Sequence, residues 1–174
     1  MKKAYGETLK LRICNVIIIM IMILILLTGC QGTDQEVSRF SHDPVRIMVF
    51  GKEASYQRSI VVFHKNGVVS KMKIIDKTVF DKEDVELINE FDAINKITYD
   101  GDVFDIAGFT QYSKIKGNVY TSTVVLEYGE MDMNLLIDQG NWFIHAKEIV
   151  NDDLKVDYIK LEKIILESGC TPVN

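Results

Sequence analysis

Hydrophobic and polar residues alternate with the period of a β-strand in three consecutive segments of the chain. These segments lie at 45–52, 59–65 and 68–78, with a turn over 53–57 between the first two. Asn66-Gly67 joins the second segment to the third. This dipeptide is the strongest short signal for a hairpin, because both positions of the turn require a positive φ. The pattern therefore predicts a three-stranded meander.

The third of these segments also predicts which side chains share a face of the sheet. Successive residues of a strand point to opposite sides, so alternate residues belong together. One face is expected to carry Met72, Ile74 and Asp76, and the other Lys71, Lys73 and Ile75.

The hydrophobic period then changes to that of an amphipathic helix. Val85, Ile88, Phe91 and Ile94 recur at intervals of three residues, which places them on one side of a helix of about four turns. Asp81 stands where an N-cap is expected, because a short side-chain oxygen there accepts from a free N–H of the first turn. We therefore predict a helix that packs on the sheet.

A second hairpin and a final helix complete the pattern. The hairpin is predicted over 108–116 and 118–128, and a short apolar run at 133–137 fits either a helical turn or another strand. The final helix is expected to begin near Val156 or Asp157 and to end at Gly169, which suits the left-handed C′ position. The pattern predicts an α+β fold, with an antiparallel sheet of about five strands and two main helices on one face.

The first thirty residues have the order of a bacterial lipoprotein signal. Residues 1–12 carry four basic residues and one acidic residue, and residues 13–27 are almost wholly apolar. Leu27-Thr28-Gly29-Cys30 then resembles a lipobox, in which an aliphatic and two small residues precede the cysteine that takes the diacylglyceryl group. An uncleaved transmembrane anchor is the alternative, but it needs about 20 apolar residues and leaves the placement of the cysteine unexplained.

Three regions follow from this interpretation. Residues 1–29 are the signal peptide, residues 30–44 are the lipidated cysteine with a flexible polar tether, and residues 45–174 are a single α+β domain. The expected location is the extracytoplasmic face of a membrane, held by the lipidated cysteine. The richness in Ile, Lys and Asn points weakly to a Gram-positive source, whereas Gln31 after the cysteine favours the outer membrane if the cell is Gram-negative.

Charge and cysteine content narrow the classes of partner. Cleavage before Cys30 leaves 16 basic and 24 acidic residues, a net charge of −8. Such a balance argues against nucleic acid and against docking on a lipid surface through a polybasic segment. Cys170 is then the one cysteine besides Cys30, so no disulfide framework is expected, and we interpret it as a small buried hydrophobe.

The order of elements resembles the YehR-like family of small bacterial lipoproteins. The resemblance covers roughly residues 45–173, behind a lipobox, and is carried best by the hairpin GFTQYSKIKGNVYTSTVVLEY and the closing helix YIKLEKIILESGC. Trp142-Phe143, before that helix, departs from the family pattern and leaves the path there open. The resemblance implies a fold and a location, and it implies no activity or catalytic residues.

Few residues suggest a site of chemistry. The three histidines, His42, His64 and His145, lack the spacing of a zinc motif. An acidic loop is the most suggestive cluster, because hard cations bind several oxygens of one tight turn, although a solvated turn is the plainer interpretation. Its members, weak candidates for a metal site, are Asp100, Asp102 and Asp105.

These observations favour a non-enzymatic binding or interaction domain. No nucleophile motif and no phosphate-binding glycine loop occurs in the sequence, and no cofactor is expected. An envelope protein is one expected partner; the alternative is a carrier or sensor of a small ligand or divalent cation. Aromatic residues that either line a ligand groove or pack in the core and on the sheet are Tyr112, Tyr120, Tyr128, Trp142 and Phe143.

Overall fold

Seven antiparallel strands form one sheet in the computed structural model, which describes residues 35–98, 106–138 and 146–173. The order across the sheet is β5-β6-β4-β3-β1-β7, and β2 pairs with the remaining half of β3. The strands are β1 (Glu36–Ser41), β2 (Val45–Val49), β3 (Lys52–Lys65), β4 (Val68–Phe80), β5 (Phe109–Lys116), β6 (Val119–Glu127) and β7 (Thr171–Pro172).

The predicted meander is confirmed as β2, β3 and β4. Asn66 and Gly67 join β3 to β4 and have φ values of 51° and 77°, as the hairpin signal requires. The turn predicted over 53–57 is wrong, because β3 begins at Lys52 and the chain reverses at Phe50 and Gly51. Residues 53–57 look polar in sequence, yet residues 53–56 pair with β2 on one side and residues 54–57 pair with β4 on the other.

The flexible tether predicted over 30–44 is wrong for residues 36–41. These residues form β1, which pairs with β3 from Glu36↔His64 to Ser41↔Ser59 and also contacts β7 through Phe40↔Pro172. Only Phe40 is a buried hydrophobic residue in this strand. Backbone pairing therefore holds a segment whose side chains carry almost no hydrophobic signal.

Within the described residues, the helices that accompany the sheet are α1 (Val85–Thr98), α2 (Met133–Asp138), α3 (Ala146–Ile149) and α4 (Tyr158–Glu167). The first helix is capped by Asp84, whose carboxylate accepts from the Leu87 N–H at 3.0 Å, and not by Asp81 as predicted. The last helix begins close to the expected position, with Asp157 as its N-cap, and Gly169 after it has a φ of 87°. The apolar run at 133–137 is helical.

All four helices contribute to packing on the same face of the sheet, which we call the covered face; its reverse is the open face. On the covered face, buried residues form two separate clusters. The larger includes Leu161 and Ile165 of α4, and the smaller includes Ile88 of α1. The two main helices thus cover different ends of one face, and the sheet has two strands more than the five predicted, β1 and β7.

Residues 35–174 form one compact unit. All the strand pairs and both clusters described above lie within residues 36–173, so this unit contains its own core. Among the described helices, none is long and apolar enough to cross a membrane.

Candidate functional site

Most of the predicted site residues lie outside the described part of the chain. The lipobox and the acidic loop both fall there, as do His145 and the Trp142-Phe143 pair. The residues concerned are Leu27, Thr28, Gly29, Cys30, Asp100, Asp102 and Asp105. Their predicted roles therefore stay predictions.

A row of polar side chains crosses the covered face between its two hydrophobic clusters. Cross-strand register places Arg58 of β3 beside Asp76 of β4, Asp76 beside Ser122 of β6, and Ser122 beside Ser113 of β5. We call these four residues the polar row. Polar groups inside a packed face cost free energy unless they are hydrogen-bonded, so their partners determine what the row can do.

The charged half of the polar row is a two-point ion pair. Arg58 Nε and Nη2 donate to the two carboxylate oxygens of Asp76 at 2.7 and 2.8 Å, and Tyr56 donates its hydroxyl to the same carboxylate at 2.8 Å. The side chains of Arg58 and Asp76 are 35% and 20% exposed. Burial, reinforced by the Asp76 charge, raises the pKa of the Tyr56 phenol. This carboxylate is held in place by two donor side chains, those of Arg58 and Tyr56.

The neutral half of the polar row connects the sheet to α1. Ser113 donates its hydroxyl to Asp92 of that helix, and Lys96 donates to the other oxygen of the same carboxylate. Burial alone would raise the pKa of Asp92, but the hydrogen bonds from Lys96 and Ser113 outweigh it and hold that pKa below its usual value. Burial and the Asp92 charge raise the pKa of the nearby Tyr120 to about 12.

A second polar cluster ties β1 to α4. Ser38 Oγ lies 3.0 Å from His64 Nε2 and 2.9 Å from the hydroxyl of Tyr158, which donates to Glu162 Oε1 at 2.8 Å. The Tyr158 and His64 rings stack at 3.8 Å. Glu36 Oε2 is 3.9 Å from His64 Nδ1, beyond hydrogen-bond distance. This resembles a Ser–His–acid arrangement, but the serine oxygen is held by a phenol and the acid does not orient the imidazole. The cluster holds β1 against β3 and α4. Its residues are far apart in sequence, so no spacing in the sequence predicted it.

A shallow cavity of about 280 Å³ lies beside the smaller hydrophobic cluster. This volume is just below the range usual for small-molecule sites. Among the described residues, no group of three His, Cys, Asp or Glu side chains is placed to hold a metal ion. The walls combine three acidic with two basic residues and are formed by Gly51, Lys52, Glu53, Phe80, Asp81, Lys82, Asp84 and Leu87.

The remaining predicted residues do not converge. Tyr112 is 49% exposed on the open face, whereas Tyr120 and Tyr128 are buried in different clusters of the covered face, so these three tyrosines line no common groove. Cys170 is buried in the larger cluster, which confirms it as a core residue. His42 lies beside β3, where its Nε2 accepts from the Arg58 N–H at 3.2 Å.

The fold has a counterpart among solved structures. No protein-family model and no curated protein matches the sequence. The chain is similar to the E. coli YehR protein, solved by NMR, with 18% identity over 82% of this chain and 94% of that chain and a TM-score of 0.53. An NMR structure of a protein from Streptococcus pneumoniae TIGR4 has 15% identity, covers 82% and 88% of the two chains, and gives a TM-score of 0.45. The described domain therefore has a fold like that of E. coli YehR.

Proposed function

We propose that this protein is a lipid-anchored, non-enzymatic binding protein of the cell envelope and a member of the YehR-like lipoproteins. The observation that carries the proposal is Leu27-Thr28-Gly29-Cys30 at the end of an apolar run of signal-peptide length. Only residues 31–35 separate this cysteine from β1. Lipidation at Cys30 would therefore hold a folded domain directly at the membrane surface.

The described polar clusters support a binding role over a catalytic one. The Asp76 carboxylate is occupied by Arg58 and Tyr56, and the Ser38 hydroxyl is occupied by Tyr158. General acid–base catalysis needs a group free to exchange a proton with substrate, and nucleophilic catalysis needs a nucleophile with an oriented base. Neither cluster offers that arrangement.

Anchoring is tested on the full chain in a bacterial host with a Cys30→Ser substitution. We expect the parent protein to incorporate labelled palmitate and to stay in the membrane fraction after a high-salt wash. The Cys30→Ser variant should take up no label and should keep its signal segment, which increases its mass on a gel. Cys170→Ser is the matched control, since its thiol is buried. Equal labelling of the Cys30→Ser variant and the parent would refute the proposal.

A carrier or sensor of a small polar ligand is the second candidate. The polar row favours it, because its charged and hydroxyl groups lie between two apolar clusters and are of the kind that orient a small polar ligand. Thermal unfolding of residues 31–174 would be measured with polar metabolites and divalent cations. A ligand at 100-fold its Kd adds about 2.7 kcal/mol to the free energy of unfolding. If the ligand binds at the polar row, a substitution next to the row should abolish this stabilisation.

Adjacent residues provide a matched pair of variants for this screen. Gln111 donates to Ser122 at 3.2 Å on the covered face, while Thr110, next to it in β5, points to the open face. Gln111→Ala should abolish a ligand-induced shift that Thr110→Ala preserves. A panel without any shift would eliminate the second candidate and leave a protein partner as the expected ligand.

A further inference from the structure

The open face of the sheet is strongly basic, although the chain is acidic. Strand β4 places Lys71, Lys73 and Lys77 along the centre of this face, as the alternation in its sequence predicted. Register adds Arg39 and Arg46 from the β1–β2 edge and two lysines, 114 and 116, from β5. Lys65, the last residue of β3, lies on the same face by alternation. The acidic residues of these strands on this face are Glu53 and Glu127, so the face has a net charge of +6.

Each of the two acidic residues forms an ion pair with one basic residue of the open face, and the other basic residues of the face add to its positive charge. Glu127 pairs with Lys71, and Glu53 pairs with Arg46 at 3.2 Å. On the strands of this face as described, these are the ion pairs present. The rest of the mature chain holds 8 basic and 22 acidic residues, so nearly all of its negative charge lies elsewhere. The sheet thus separates charge, and the net value of −8 conceals a basic surface.

The open face also has the form of a docking surface. The buried residues of the described helices belong to the clusters of the covered face, so those helices leave the open face uncovered. Large side chains that are amphipathic or apolar stand exposed around the lysines: Met48 is 65% exposed, Tyr112 49% and Val37 43%. A flat basic surface with such side chains is suited to anionic headgroups above an apolar layer.

The length of the chain before β1 identifies the occupant. Five residues lie between Cys30 and Glu36, and a fully extended segment of that length spans about 20 Å. A lipid on Cys30 would therefore keep the start of β1 within about 20 Å of the bilayer, which is about two Debye lengths. We propose that the open face docks on the anionic phospholipid headgroups of the membrane that holds the protein. This rests on the proposed lipid anchor, which supplies the proximity.

Vesicle flotation of residues 31–174, without signal or lipid, tests the docking separately from the anchor. This part is suitable because it contains the whole described core. We expect it to bind vesicles of phosphatidylcholine with 30% phosphatidylglycerol at low salt and to leave vesicles of pure phosphatidylcholine unbound. Raising the salt to 0.5 M should release it, because screening shortens the range of the attraction. An absence of binding to the anionic vesicles would refute the docking and leave the palmitate result untouched.

Charge reversal identifies the surface. Lys77, Lys114 and Lys116 are exposed on the open face, and changing all three to Glu should weaken binding at least tenfold. The control reverses three exposed lysines outside this face, Lys82, Lys147 and Lys155, for the same change in net charge. Its affinity should stay within about twofold of the parent.

Two results would overturn the assignment of this face. Equal losses in the two triple variants would mean that net charge alone acts. Soluble polyphosphate that binds the parent tightly while anionic vesicles do not would instead assign the face to an envelope polymer. Circular dichroism melts of both variants verify folding; if the open-face triple variant fails to fold, the single Lys77→Glu change is compared with Lys82→Glu in the same assay.

Discussion

The two faces of the sheet are built from the same strands and differ in almost every other respect. In β4, the covered face receives Met72, Ile74 and Phe80, and the open face receives Lys71 and Lys73. One residue of register separates a hydrophobic core from a basic surface. The difference shows that the overall composition of the chain describes neither face, because the chain has a negative net charge and the open face of its sheet is positively charged.

The covered face is itself divided. Its two clusters are separated by the polar row, so the core is interrupted by an ion pair instead of being continuous. Replacing such a pair by apolar residues is often neutral, while breaking it is costly. The division therefore contributes specificity of strand register, because a slip of one residue would bring Asp76 to the open face and away from Arg58.

The largest expected difference between the faces is in packing. Leu126→Ala removes a side chain with 0% exposure from the larger cluster, and we expect it to lower the free energy of unfolding by about 2–5 kcal/mol. Val37→Ala on the open face, where the side chain is 43% exposed, should cost less than about 1 kcal/mol. Urea titrations of residues 31–174 measure both. Similar losses for the two variants would mean that the open face is packed against something.

A smaller loss is expected from the ion pair of the polar row. Asp76→Asn weakens the two-point contact with Arg58 and the acceptor of Tyr56, and should cost about 1–3 kcal/mol. The double change of Arg58→Met with Asp76→Leu should restore part of that loss, since no unpaired charge then remains. The open-face ion pair between Lys71 and Glu127 provides the contrast. Glu127→Gln should cost less than about 1 kcal/mol, because both side chains of this pair are partly exposed to solvent. A double variant no more stable than Asp76→Asn would contradict this account.

The connection between the sheet and α1 predicts a dependence on acidity. The pKa of Asp92 is lowered in the folded state, so the unfolded chain takes up the proton first as the pH falls. The stabilisation from Asp92 is present above its unfolded pKa, near 3.8, and is lost as the pH falls through the folded pKa. Asp92→Asn should cost about 1 kcal/mol at pH 7 and should flatten the decline in melting temperature between about pH 5 and pH 2. An unchanged profile would disprove the assignment.

The smallest effect should have the opposite sign. The Tyr128 hydroxyl is fully buried and has no hydrogen-bond partner among the described residues, and burial raises its pKa. Tyr128→Phe removes an unsatisfied polar group, so we expect a gain of up to about 1 kcal/mol. It should also diminish the loss of stability above pH 10, because the unfolded phenol ionises first there. Destabilisation by more than about 1 kcal/mol would indicate a water or chain partner for this hydroxyl.

Local signals in the sequence account for the parts of the fold that were predicted. Asn66-Gly67 determines the β3–β4 hairpin because the turn needs two positive φ values. Asp157 and Gly169 determine the ends of α4 by satisfying free backbone groups and by accepting a left-handed conformation. The faces of β4 follow from alternation alone. Each of these features depends on residues within a few positions of one another.

The parts that were missed depend on partners far away in sequence. Strand β1 is held by β3 and β7, and its inward side chains Glu36 and Ser38 give no hydrophobic pattern. Asp81 and Asp84 are equally good caps by type, and only the helix geometry selects Asp84. The polar row and the basic face both require the register between strands, because Arg58 and Asp76 meet across a hairpin.

The pairing of β1 with β7 makes the folded domain almost circular. Phe40 and Pro172 lie side by side, so the first and the last described strands meet at one edge of the sheet. The stability of the sheet should therefore depend on the contacts between its strands more than on where the chain begins and ends. A short linker from 173 to 35, with new ends opened at Gly117 in the β5–β6 turn, should give a circular permutant with the same sheet. Such a permutant would move the two chain ends from the β1–β7 edge of the sheet to the β5–β6 edge, and it would leave both faces intact.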